Sequence, residues 1–434
     1  MLTPKKIMRF WFPLAATWLM MSVEGPFVTA VIARLADETH NLAAFGIAYA
    51  FALLAESPVI MLMAAATSLV RGRTSYRRLR RFTLVLVGLV TLSLAGALFS
   101  PFFDFLIYDV LNLSPLIHDL THQTLVFMLV WPGAIAWRRF LQGLLIVNNK
   151  TRIVSYGTAI RLVLMALTAL FFYFHPLLPG AAVGGLALGV GVVAEMAVTW
   201  YLSRSTIRKV LGQREKAPEK ILSMRGILRF YYPLALATFL GLGIQPMLTF
   251  FLGQSRMALE SLAILPVINA FIFIFRSIGL SFQEVAITFL HHSREQFSFL
   301  HRFVLKVALA ITLLVLLIVL TPLSRLWYQD ISGLSLTLTR LSLIPTLIMS
   351  LLPALSLYIS WQRAVEVQAH QTRHLTLSTF IEVSVIGLVM LLLIRADFIG
   401  IYAVAIAMTC GRLAANAYLF VTNLRAEKIL FSAN

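Results

Sequence analysis

A few ionisable side chains of this 434-residue chain stand deep inside stretches that are otherwise apolar: Glu24, Glu56, Arg138, Arg161, Glu195, Arg276, Glu382 and Arg412. In hydrocarbon a charge costs several kcal/mol unless it meets a partner or a wet cavity, so each position needs a chemical reason. A carboxyl in a low-dielectric cleft can load and release a proton, which makes Glu24, Glu56 and Glu195 candidates for the coupling ion. An arginine fork donates two parallel hydrogen bonds and suits phosphate or carboxylate, so Arg138, Arg161, Arg276 and Arg412 are candidates for holding an anion. Glu24 lies beside Gly25-Pro26, and Gln245 lies beside Pro246. Proline lacks an N–H and frees carbonyls in the preceding turn, so both positions read as substrate contacts on broken helices or as packing kinks. Arg138 and Arg139 are neighbours and face different directions, so at most one points at a cavity and the other is expected to snorkel. Arg363 and Glu366, spaced i and i+3, are expected to pair with each other.

Catalytic chemistry leaves no comparable signal. The single cysteine, Cys410, excludes an intrachain disulfide and a thiolate metal site. The nine histidines form no HExxH spacing, and His291 and His292 are merely adjacent. There is no Walker loop, GxSxG elbow or Rossmann glycine pattern, so neither an enzyme nor ATP hydrolysis is expected, and no metal or cofactor is implied.

The elements that must carry the charged positions are membrane helices. Hydrophobic residues make up 59% of the chain and charged ones 12%, with a mean hydropathy of +0.87, outside the range of soluble domains. Each crossing needs about 20 apolar residues. Twelve such segments run at 10–34, 43–70, 82–108, 124–147, 153–174, 180–203, 230–252, 261–290, 303–328, 340–366, 374–394 and 398–422. The first is too long and too poorly flanked for a cleaved signal peptide, so the N-terminus is expected to be retained. A net charge of +18 would suggest nucleic acid in a soluble protein, but the basic residues alternate by loop. Arg71 to Arg81, Lys150, Arg152, and the run Arg204, Arg208, Lys209, Arg214, Lys216, Lys220 and Arg225 mark one side, which the positive-inside bias makes cytoplasmic, with both termini there. The Arg71 to Arg81 cluster reads as a topology anchor against anionic lipid. An inner-membrane, multi-pass, monomeric protein is expected, with lipid and a small molecule as its partners.

RFWFPLAATWLMMSVEGP at Arg9 to Pro26 returns as RFYYPLALATFLGLGIQP at Arg229 to Pro246, and matches continue at an offset of 220 or 221. Leu42, Phe51, Ser57, Phe82, Pro101, Asp109, Pro132 and Gly180 meet Leu262, Phe271, Ser277, Phe303, Pro322, Asp330, Pro353 and Gly400. This is a duplication of six helices. An even number keeps both copies in one orientation, giving lobes at 1–203 and 230–434 joined by a basic linker at 204–229, and alternating access by rocking. The copies diverge in charge: Glu56 aligns with Arg276, Arg161 with Glu382, Glu195 with Ala415 and Arg412 with Val192. Glu56 and Arg276 are placed to meet across a cleft, as a gate or at opposite ends of a substrate.

Two sixes with helices 1, 2, 7 and 8 lining a cleft resemble the multidrug/oligosaccharidyl-lipid/polysaccharide flippase superfamily, which includes the MATE multidrug exporters. AFGIAYAF (Ala44 to Phe51), FYYPLAL (Phe230 to Leu236) followed by Pro246, and ESLAIL (Glu260 to Leu265) resemble the progressive ankylosis (ANK) family within it. That resemblance implies a transporter exporting small polyanions of the pyrophosphate, nucleotide or citrate class. The ANK-like pattern places a basic residue beside the helix 7 proline, where this chain has Gln245. A MATE-like proton- or sodium-coupled cation exporter and a lipid-linked flippase are the alternatives.

Overall fold

The computed structural model describes residues 4–148, 150–213, 223–290, 294–369, 371 and 373–432. Arg214, Lys216 and Lys220 of the basic linker, His291, His292 and Thr372 lie outside the described residues. The first half consists of α1 (Pro4–Ser22), α2 (Glu24–Ala33), α3 (Glu38–Glu56), α4 (Leu62–Leu69), α5 (Arg73–Leu98), α6 (Pro115–Met128), α7 (Trp131–Val147), α8 (Thr151–Phe174) and α9 (Gly180–Gly212). The second consists of α10 (Met224–Leu242), α11 (Ile244–Gly253), α12 (Ala258–Leu280), α13 (Phe282–Phe289), α14 (Arg294–Leu320), α15 (Leu336–Met349), α16 (Leu352–Gln368), α17 (Arg373–Arg395) and α18 (Gly400–Ser432).

Their irregularities repeat with the sequence offset, for reasons written in the residues. Pro26 cannot donate to the carbonyl four residues back, so the first helix breaks at Val23 and resumes with Phe27 N–H bonded to Val23 O at 3.1 Å. Pro246 does the same at Gly243, with Met247 N–H on Gly243 O at 3.2 Å. Pro132 and Pro353 likewise end α6 at Met128 and α15 at Met349. A π-turn spans Phe105–Val110 and another Leu326–Ile331. Each is followed by a left-handed residue, Asn112 at φ 52° and Gly333 at φ 77°. The long helices α9 and α18 are capped from matching places: Asn41 Oδ1 accepts from Ala181 N at 2.8 Å, and Ser261 Oγ from Ile401 N at 3.1 Å.

Among the described residues, ten helical runs are long and apolar enough to cross a membrane. The two other expected crossings, 10–34 and 43–70, are interrupted at Val23 and at 57–61, which shortens their continuous apolar length. Three expected spans are corrected at their ends. Segments 82–108 and 303–328 stop as helices at Leu98 and Leu320, because Pro101 and Pro322 follow and the chain turns into the π-turns. The segment expected to end at 203 runs on as helix to Gly212, with the Arg204 guanidinium 4.3 Å from the Trp200 ring centroid. Helices α5, α8, α14 and α17 expose apolar stripes such as Leu309, Leu313 and Leu317, one turn apart, as a lipid-facing surface does.

The chain packs into two compact units, Leu35–Gly253 and Met1–Arg34 with Gln254–Asn434. The opening helices of each copy thus group with the later helices of the other copy. In the second unit, Trp11 of α1 donates to Ser281 Oγ at 2.7 Å and packs edge-on against Phe282 and Phe303 at 5.1 and 6.1 Å. In the first, its repeat equivalent Tyr231 of α10 donates to the Pro58 carbonyl and packs edge-on against Phe82 at 5.1 Å.

Candidate functional site

Within Leu35–Gly253 the buried charges gather around Glu195 of α9, which is fully enclosed. Arg138 of α7 donates through Nη1 to Glu195 Oε2, and Arg161 of α8 brings its own Nη1 to 3.7 Å from the same oxygen. Gln142, one turn after Arg138, and Thr158, one turn before Arg161, reach Oε1 at 3.4 and 3.3 Å. Helical spacing places each pair on one face. Glycines let α8 and α9 close: a Cβ on Gly191 would stand 3.0 Å from the Arg161 carbonyl, and one on Gly157 3.3 Å from Glu195 Cγ. On the other side of Arg161 its guanidinium lies 5.8 Å from the Trp131 ring centroid, and the Trp131 indole N–H donates to Glu56 Oε2 at 2.8 Å. Arg139, expected to snorkel, is half-buried, and its Nε is enclosed without an acceptor among the described residues.

The other unit uses the same helix pair with the charges exchanged. Glu382 of α17 and Arg412 of α18 pair at 2.9 Å, as Arg161 of α8 and Glu195 of α9 do. Gly411, the repeat of Gly191, again permits the approach, since a Cβ there would stand 2.9 Å from the Glu382 carbonyl. Arg276 of α12 donates through Nε to Ser356 Oγ of α16 at 3.1 Å, and Arg363 of α16 donates through Nη2 to Thr379 Oγ1 at 3.2 Å. Thr379 is one turn from Glu382 on α17, which puts the Arg363 contact beside the Glu382–Arg412 pair. The expected Arg363–Glu366 pair is corrected: Glu366 takes the hydroxyl of Thr422. Residues three apart point about 60° apart on a helix, and here each meets a different neighbour.

Glu56 and Arg276 belong to different units, each engaged within its own. Glu24 opens α2 and Gln245 stands second in α11, both half-buried just after the helix breaks. Trp131, Gln142, Thr158, Ser356 and Thr379 were absent from the sequence reading. The signal for Gln142 and Thr158 was their one-turn spacing from Arg138 and Arg161. A separate apolar cavity of about 420 Å³ in the Leu35–Gly253 unit is lined by residues including Phe51, Pro58, Leu94, Phe103, Leu125 and Phe239.

No family model and no curated protein sequence matches the chain. Solved structures do. A multidrug resistance MATE family transporter of the MOP superfamily, in an inward-facing conformation, is similar with a TM-score of 0.75 at 11% identity, over 96% of each chain. The lipid II flippase MurJ, inward closed, gives 0.72 at 12% identity over 97% of this chain and 90% of that one. A MOP superfamily transporter from Pyrococcus furiosus, described as having a binding pocket of reverse polarity, gives 0.62 at 14% identity over 98% and 96%. The chain has the MATE fold. It is an all-α membrane protein of twelve crossings in two pseudo-symmetric sets of six, with α6–α7 and α15–α16 each forming one crossing. Within the MATE fold, each charge cluster spans the fourth, fifth and sixth crossings of one repeat copy, α7–α9 and α16–α18. The second is joined from α12, the second crossing of its copy.

Proposed function

We propose that this chain is an alternating-access membrane transporter that carries small polyanions of the pyrophosphate, nucleotide or citrate class outward, as its resemblance to ANK-family proteins implies. The observation that carries this reading is the excess of arginine over carboxylate among the buried and half-buried charges of the two clusters. Six guanidiniums, those of Arg138, Arg139, Arg161, Arg276, Arg363 and Arg412, stand beside four buried carboxylates, Glu56, Glu195, Glu366 and Glu382. Each of those carboxylates already holds an arginine, an indole N–H or a hydroxyl, which leaves little negative surface for a lipophilic cation. An inside-negative potential favours anion exit by about 2.3 kcal/mol per charge per 100 mV, so no ATP is required. On this reading the protein is a monomer of the inner membrane with cytoplasmic termini and rocking lobes. Gln245 lies in the substrate path, and Glu24 or Glu56 carries a proton if transport is proton-coupled. Glu195, engaged by four donors, holds α7, α8 and α9 together more than it exchanges ions.

The apolar cavity favours a second reading, in which the carried anion bears an apolar portion, as a lipid-linked substrate does. Liposomes loaded with labelled pyrophosphate, ATP or citrate, or with a fluorescent lipophilic cation, separate the classes under an imposed potential and then a pH gradient. Anion efflux that follows potential and is abolished in a folded Arg276→Ala protein is expected. Cation flux requiring the proton gradient, or anion flux unchanged by Arg276→Ala, would sink the reading.

A further inference from the structure

The cluster in the unit containing α12 and α16–α18 is incomplete in a way that specifies its ligand. Of its two buried carboxylates, Glu382 is paired with Arg412 at 2.9 Å and Glu366 takes the hydroxyl of Thr422. Arg363 is held by Thr379, one turn from Glu382 on α17, and Arg276 by Ser356, two turns from Arg363 on α16, so three guanidiniums stand beside two carboxylates and positive charge is in excess. Their hydrogen bonds are also unfilled. Arg276 uses only Nε, on Ser356, and among the described residues nothing accepts from its two Nη groups. Ser356 fixes the plane of the guanidinium, so the free edge is the forked one that matches two oxygens of a phosphate or carboxylate. Arg363 uses Nη2 on Thr379, while its Nε is buried with no acceptor, a state that costs free energy until an oxygen arrives. The next carboxylate along α16, Glu366, accepts from Thr422 of α18 through Oε1, and among the described residues its Oε2 bonds to neither arginine.

We propose that this cluster is an oxyanion site that takes a ligand of charge two or more. Arg276 holds the anion through its Nη edge, Arg363 serves as the residue that discriminates polyanion from monoanion, and Ser356 orients Arg276. A monovalent anion answers one fork and leaves the other arginine without an acceptor, whereas a diphosphate or a tricarboxylate answers both arginines. This inference rests on the polyanion reading above and sharpens it, moving Arg363 from a helix-surface ion pair into the binding set.

The test is binding to the purified full-length protein in detergent, by calorimetry, with pyrophosphate, citrate and acetate as probes. Farnesyl diphosphate is run in parallel to present the same oxyanion on an apolar tail. Wild type is expected to bind pyrophosphate and citrate and to ignore acetate. Arg363→Gln is expected to weaken pyrophosphate about tenfold or more, the range of a lost charged hydrogen bond, and to narrow its preference over acetate. Arg363→Lys keeps the charge and should recover part of the affinity, which separates the role from a folding defect. If pyrophosphate binds wild type and Arg363→Gln equally, the role of Arg363 is overturned while the polyanion reading stands. If none of the polyanions binds wild type, that reading falls as well. Tighter farnesyl diphosphate than pyrophosphate would assign the oxyanion to a lipid-borne headgroup at the same site, and equal binding to a free one.

Discussion

Replacing Glu195 by glutamine keeps the side chain's size and removes the charge that draws α7 and α8 onto α9. Glu195 is fully buried, bonded to Arg138 and 3.7 Å from Arg161. A unit-charge pair at that separation attracts by about 4 kcal/mol when the effective dielectric constant is near 20. Desolvation offsets much of that attraction while the pair is intact, but not when one partner is deleted, because the other charge stays buried. Such deletions cost about 3–5 kcal/mol. Glu195→Gln strands two guanidiniums and is expected at the upper end of that range. Arg161→Gln leaves Arg138 on the carboxylate and should cost least, with Arg138→Gln between them. Thermal melting of the purified protein in detergent, followed by tryptophan fluorescence, would show the order as a graded loss of melting temperature. A Glu195→Gln protein that melts with the wild type, or an order with Arg161→Gln worst, would refute a carboxylate-centred clamp.

Removing either cap of the long helices, by Asn41→Ala or Ser261→Ala, orphans the N–H of Ala181 or Ile401 and should cost about 1 kcal/mol each, read in the same melts. Gly411→Ala should destabilise, because its Cβ would stand 2.5 Å from Ile386 Cγ1, while Gly96→Ala, with nothing within 4 Å, should be neutral or slightly stabilising. Both ring nitrogens of His118 face carboxylates, Nε2 at 2.8 Å from Asp104 and Nδ1 at 3.0 Å from Asp119, with Tyr108 and His122 stacked on its faces. His118→Ala removes both contacts and should speed hydrogen exchange across residues 99–122 relative to the wild type.

The duplication was legible because its marks are prolines and glycines, whose backbone effects do not depend on packing. Pro26 with Pro246 and Pro132 with Pro353 break their helices at matching places. The exchange of opening helices between the two units was not legible, since it depends on which apolar faces meet, and α1 and α10 both carry apolar faces. The charge clusters were half legible. The alignment exposes Arg161 against Glu382, yet it sets Glu195 against Ala415 and Arg412 against Val192, as though each charge had lost its counterpart. Position 192 and position 195 are one turn apart on the same face of α9, and 412 and 415 are so on α18. A partner can therefore shift by one turn, and reverse its sign, while the helices still close on the glycines Gly191 and Gly411. Each copy thus keeps one ion pair between its last two crossings, a structural element they share. Asymmetry enters through the arginines outside those pairs: Arg138, which donates to Glu195, with its neighbour Arg139 in one unit, and Arg276 and Arg363, which donate to hydroxyls, in the other. A symmetric scaffold would have no use for that second, uncompensated pair, and an anion carrier would.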